Sequence, residues 1–100
     1  MASPDLMSII VLERPTAETR EAVQTLIKKH ASGWWHRFPD LWLASGHPPQ
    51  FWRDEIRPLV AGTGRGVFVF LLPAAEADRA WAYFGPKAEE RGKWLHDYYA

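Results

Sequence analysis

The run Val67-Phe-Val-Phe-Leu-Leu72 is six consecutive apolar residues, four of them β-branched or aromatic, and it constrains this chain more than any other stretch. Such a run is too short for a buried helix and carries no polar residue on alternate positions, so it reads as a strand buried on both faces. The expectation is a central strand of a sheet. A flexible lead-in precedes it, Ala61-Gly-Thr-Gly-Arg-Gly66. This could pass for a phosphate loop, but phosphate loops follow a strand and open a helix, whereas this one follows a helical pattern and opens a strand. It reads as a connection, with Arg65 among the glycines able to reach an anion.

The remaining elements follow from punctuation and period. Met7-Ser-Ile-Ile-Val-Leu12 is a branched apolar run closed by Glu13-Arg14 and by Pro15, which cannot donate to a ladder. Thr16 is an N-cap candidate with Glu18 and Glu21 in the first turns, and Val23, Leu26, Ile27 and His30 repeat at helical spacing until Ser32-Gly33. Lys28 and Lys29 suit the carbonyl end of that helix. Trp34–Phe38 and Leu41–Ser45 flank Pro39-Asp40 and predict a hairpin. Because proline holds φ negative, the primed two-residue turns are disfavoured and a four-residue type I connection over Phe38–Leu41 is expected. Gly46-His-Pro-Pro49 opens a second helix whose Trp52, Ile56, Leu59 and Val60 share a face, with Pro58 in its last turn. After Leu72 the pattern predicts a connection over Pro73–Asp78, a fifth strand over Arg79–Phe84, a turn at Gly85-Pro86 and a helical repeat of Trp94, Leu95, Tyr98 and Tyr99.

Strand, helix, strand, strand, helix, strand is a split βαβ arrangement. It predicts an α+β, ferredoxin-like βαββαβ sandwich with an antiparallel sheet, both helices on one face, and an extra C-terminal strand and helix. One hundred residues make one domain over 1–100. The composition, 47% hydrophobic and 24% charged, is globular rather than disordered. No apolar run approaches the roughly 18 residues of a membrane span, and Met1–Leu12 lacks the pattern of a signal peptide, so a soluble, cytoplasmic protein is expected. No cysteine is present, which excludes disulfides, thiolate zinc sites and thiol nucleophiles.

Twelve basic and twelve acidic residues leave no net charge, unlike a dedicated nucleic-acid binder. The balance is uneven along the chain. Residues 1–27 hold two basic against four acidic side chains, and residues 28–66 six basic against three acidic. Arg37, Arg53, Arg57 and Arg65 in the second stretch are the candidate contacts to an anionic partner. Six tryptophans, at 34, 35, 42, 52, 81 and 94, exceed what a core of this size holds, so some are expected to face a partner. Trp34 and Trp35 are adjacent on a strand and must point to opposite sides, which makes them the candidate aromatic contacts. A patch on the side away from the helices could bury against a second subunit, stack nucleobases or line a ligand cavity.

Gly33-Trp-Trp-His36, Leu41-Trp-Leu43, Ile56-Arg-Pro-Leu59, Val67-Phe-Val69, Ala80-Trp81 followed by Gly85, and Trp94-Leu95 together resemble short bacterial SinR-like proteins. These are similar to the small ferredoxin-fold subunit of CRISPR adaptation and to VapD-type toxin ribonucleases. The resemblance implies a homodimer, often formed across sheets. The nuclease-like members tend to carry Tyr-Asp at the end of strand one, where paired carboxylates could hold a divalent metal; here the place reads Leu12-Glu13-Arg14. Glu13 is therefore a weak catalytic candidate, with Arg14 beside it as a competing ion pair. His36, beside two tryptophans, is the other, as packing residue or base. His30, His36, His47 and His96 show no ligand spacing, so neither a metal nor a cofactor is expected. Serines 3, 8, 32 and 45 lie in no nucleophile context.

Three functions remain open at this point. They are a noncatalytic dimeric interaction or scaffold protein with a protein or nucleic-acid partner, a nucleic-acid binder or weak metal-dependent nuclease, and a small-molecule-binding dimeric α+β barrel protein in which His36 or Trp35 meets the ligand. The first is preferred.

Overall fold

The computed structural model describes residues 6–72. They form β1 (Met7–Leu12), α1 (Ala17–His30), β2 (Trp34–Phe38), β3 (Leu41–Ser45), α2 (Pro49–Val60) and β4 (Val67–Leu72). The strands make one antiparallel sheet in the order β2-β3-β1-β4, which is the ferredoxin-like βαββαβ arrangement. The expected fifth strand over Arg79–Phe84 and the C-terminal helical repeat lie outside the described residues.

Each helix begins where its sequence signals place it. The Thr16 hydroxyl accepts from the Thr19 amide at 3.1 Å and caps α1. The amide of Ala31 closes the other end on the Ile27 carbonyl. Pro49 occupies the first turn of α2, where no amide partner is lost, and Pro58 sits in the last. Val23 and Ile27 of α1 and Trp52, Ile56 and Val60 of α2 are buried against Ile10, Leu12, Trp42 and Ala44 of the sheet.

The hairpin turn occupies Pro39-Asp40, with Phe38 opposite Leu41. Neither turn residue has positive φ, so the turn is not of the primed kind. Unprimed turns splay the strands they join, and β2 adjusts with a bulge. Trp35 pairs with Leu43 and Phe38 with Leu41, leaving His36 and Arg37 together opposite Trp42.

One placement differs from expectation. Val67–Leu72 is not central; it ends the order of described strands and pairs with β1. The apolar run records two apolar faces, not two neighbours: Val67 and Val69 pack toward the helices, and Phe68 and Phe70 project from the other side by strand alternation. No helix among the described residues is long and apolar enough to cross a membrane.

Candidate functional site

Alternation along four strands divides the sheet into two unlike surfaces. The side toward α1 and α2 carries Ile10, Leu12, Trp42, Ala44, Val67 and Val69. The other side carries, across the strands in register, Trp35, Leu43, Ile9 and Phe70, then Phe38, Leu41, Val11 and Phe68, then Ser45, Met7 and Leu72. No charged residue occupies those positions. Exposure across this side is graded. Met7 is fully buried and Leu43 and Trp35 are each 6% exposed, whereas Phe68 is 66%, Phe38 46% and Phe70 40% exposed. The rings of Phe68 and Phe70 lie 5.1 Å apart at 33°, a tilted pair on one strand. This is the candidate site: the exposed Phe68–Phe70 pair on β4, on the side of the sheet turned away from α1 and α2.

The residues expected from sequence to meet a partner fall partly elsewhere. Trp35 does lie on the side away from α1 and α2, but it is buried and tilts onto Phe38 at 5.9 Å. Trp34 points to the helix side, half-buried against the core, with the Lys28 ammonium 5.3 Å over its ring. Trp42 and Trp52 are completely buried, while Trp81 and Trp94 lie outside the described residues. Among the described residues the core therefore takes in its tryptophans, and phenylalanines form the exposed aromatic surface. The two helices supply enough area to enclose the indoles of Trp42 and Trp52 fully.

The four arginines are exposed and do not line one stripe. Arg37 is on β2 at one edge of the sheet and donates to the His36 carbonyl at 3.3 Å. Arg53 flanks β4 at the opposite edge and pairs with Asp54 at 2.9 Å. Arg57 follows Arg53 by one turn of α2, and Arg65 sits in the α2–β4 connection beside Glu13.

Glu13 stands just beyond β1 as a brace. Its backbone amide donates to the Gly66 carbonyl at 3.0 Å, and its Oε1 accepts from the Gly66 amide at 3.0 Å. Oε2 lies 3.9 Å from Arg14. The cleft lined by Glu13, Thr16, Thr19, Thr63 and Arg65 offers about 20 Å³ to solvent, room for a single water rather than a substrate. Among the described residues no cluster of three His, Asp or Glu side chains is arranged to hold a metal ion. His36 lies flat on Trp42, with its Nε2 3.3 Å from the Pro39 carbonyl, and neither it nor Trp35 lines the clefts at Glu13, along α1 or beside β4.

One grouping was not read from sequence. His47 stacks on Phe51 with centroids 3.8 Å apart and meets Trp52 edge-on, and its Nε2 lies 3.1 Å from the His30 carbonyl at the end of α1. His30 in turn sits 3.7 Å from Glu55. The i, i+4 spacing of His47 and Phe51 was available in the sequence, but the separation of the two histidines by seventeen positions hides their meeting. These contacts tie the α1 end to the α2 start and leave the grouping inside the helix layer.

Comparison with family models, with curated proteins and with solved structures found no match to this chain.

Proposed function

We propose that this chain is a noncatalytic homodimeric interaction or scaffold protein that meets its partner through the side of its sheet away from α1 and α2. The observation that carries this reading is the exposure of Phe68 and Phe70 on a side that holds no charged residue across the register of the described strands. Leaving large apolar side chains in water costs roughly 25 cal/mol per Å², and a pair of exposed aromatic rings marks a surface that is covered in use. The zero net charge lets two copies approach without long-range repulsion. The resemblance to SinR-like proteins adds association with nucleic acid as the setting in which such a dimer would work.

The test is sedimentation equilibrium and native mass spectrometry on the whole chain and on Phe68→Asp, with circular dichroism to verify that the variant folds. The expected result is a dimer that Phe68→Asp turns into a folded monomer. A monomer at every micromolar concentration of the unaltered chain would end this reading. Salt-sensitive binding of RNA or DNA, abolished by charge reversal at Arg53 and Arg57, would replace it with the nucleic-acid reading.

A further inference from the structure

We infer that the C-terminal stretch Trp94–Tyr99 of the same chain lies over Met7, Leu43 and Trp35, on the side of the sheet away from α1 and α2, and that the Phe68–Phe70 end of that side is the part left for a partner; the cover does not depend on the dimer reading above.

Burial on this side follows a gradient that the described elements do not produce. Exposure falls in the same direction on three neighbouring strands: from Leu41 to Leu43 and Ser45 on β3, from Val11 and Ile9 to Met7 on β1, and from Phe68 through Phe70 to Leu72 on β4. On a sheet surface open to water, the middle of a strand is better covered than its end, because neighbours flank it on every side. β1 shows the reverse. Ile9, flanked by Leu43 and Phe70, is half-buried, whereas Met7 at the start of the strand is completely buried. Both helices pack on the opposite side, so neither buries Met7. A further layer covers one end of this side and stops short of the other.

Two observations select the occupant. The burial is that of one chain alone, so a second copy does not produce it. The covered end is also where β4 releases the chain, since Leu72 pairs with Met7, and Met7 with Ser45. Residues 73–100 begin beside the surface that needs covering, and they hold six aromatic side chains. The residues ahead of β1 start at the same end, but Met1–Asp5 contain one large apolar side chain, too little for Met7, Leu43 and Trp35 together.

Within residues 73–100 the pattern separates two pieces. Arg79–Phe84 has the length and composition of a strand, which extends a sheet sideways rather than covering it. Trp94, Leu95, Tyr98 and Tyr99 repeat at helical spacing, with Lys93, His96 and Asp97 on the other flank. An apolar stripe of that kind needs a layer to bury against, and α1 and α2 already occupy the far side of the sheet. Reach is ample: Trp35 lies three strands from Leu72, about 15 Å at the usual spacing, and twenty-one residues separate Leu72 from Trp94. A helical layer about 10 Å wide laid across Met7 and Leu43 ends before Phe68, which lies about 13 Å along β4 from Leu72. The same cover therefore accounts for the burial of Met7 and for the exposure of Phe68.

Met1 and Met7 are the two methionines of the chain, so the Met7 methyl is a clean probe by NMR of the full chain carrying 13C in its methionine methyls. Nuclear Overhauser cross-peaks from that methyl to assigned aromatic protons are measured, with sedimentation on the same sample. The expected result is cross-peaks to the Trp94 and Tyr98 rings and an upfield-shifted Met7 methyl, both unchanged on tenfold dilution. Methyl-labelled chains with deuterated aromatic rings, refolded together with unlabelled chains, should lose those cross-peaks. Cross-peaks that persist in the mixture would mean that a second copy supplies the cover. Cross-peaks to the rings of Arg79–Phe84 and none to residues 94–99 would mean that another stretch does, and either result overturns the inference. A monomer with the expected cross-peaks would end the dimer reading and leave the cover standing, whereas a dimer without them would do the opposite.

Discussion

The imidazole of His36 lies flat on the indole of Trp42, centroids 4.4 Å apart and planes 16° from parallel. The bulge produces this contact, since it leaves His36 and Arg37 together opposite Trp42. The indole is otherwise enclosed, fully buried and donating from Nε1 to Gln24 of α1 at 3.3 Å. The two residues therefore contribute unequally. Trp42→Ala empties a core site and should cost about 3 to 5 kcal/mol. His36→Ala should cost about 1 kcal/mol, the value of one stacked ring at a half-buried edge. His36→Phe, which keeps the stack, should recover most of it. Urea unfolding of the three variants checks the order, and a loss at His36→Ala as large as that at Trp42→Ala would contradict the packing role.

Gly46 ends β3 with φ at +108°, a region that side chains enter at a cost. Its amide donates to the Leu6 carbonyl at 3.0 Å, which fixes the conformation, and a Cβ there would collide with the hydroxyl of Ser32. Gly62 also has positive φ, at +81°, but a Cβ on it meets nothing within 4 Å. Comparing the two separates backbone strain from collision. Gly62→Ala should cost about 1 kcal/mol, and Gly46→Ala about 2 to 3 kcal/mol. Thermal unfolding monitored by circular dichroism reads both, and equal losses would assign the whole effect to φ.

Local chemistry made most of the architecture legible in sequence. Thr16 before an acidic first turn, Pro49 at a helix start and Pro39-Asp40 between two aromatic runs each settle a boundary from neighbours within a few residues. What sequence did not yield depends on which element lies beside which. Val67–Leu72 looks like a central strand because apolarity reports faces, whereas position in the order is set by the crossovers of the chain. Trp34 and Trp35 were rightly separated by alternation, but the neighbours of Trp35, Leu43 opposite it and Phe38 against its ring, arrive through pairing. The exposed Phe68 and Phe70 and the meeting of His30 with His47 belong to the same class of long-range fact.

Arg20 of α1 reaches Asp40 in the β2–β3 turn, with Nε at 3.2 Å and Nη2 at 3.0 Å from the same carboxylate oxygen. The side chains remain 35% and 42% exposed, so water screens the pair and its worth stays small. A double-mutant cycle with Arg20→Ala and Asp40→Ala should give a coupling of about 0.5 kcal/mol, falling further in molar salt. The Asp40 backbone is better anchored than its side chain, since its carbonyl accepts from the Leu12 amide at 2.9 Å. The turn should therefore keep its place in either single variant, and a coupling above about 2 kcal/mol would mean that the pair orders the turn.

Glu13 offers the sharpest contrast between a brace and a metal ligand. As a brace, its carboxylate satisfies the Gly66 amide and joins the end of β1 to the start of β4. Glu13→Gln retains an acceptor oxygen at that position, so it should cost less than about 0.5 kcal/mol, while Glu13→Ala removes the acceptor and should cost about 1 kcal/mol. A metal ligand would behave differently. Ions bound to the folded chain raise its melting temperature by mass action, and loss of the charge would abolish the rise. We expect millimolar magnesium or manganese to leave the melting temperature of the unaltered chain and of Glu13→Gln equally unmoved. A rise in the unaltered chain that Glu13→Gln removes would make Glu13 a ligand and return metal-dependent phosphodiester cleavage to consideration.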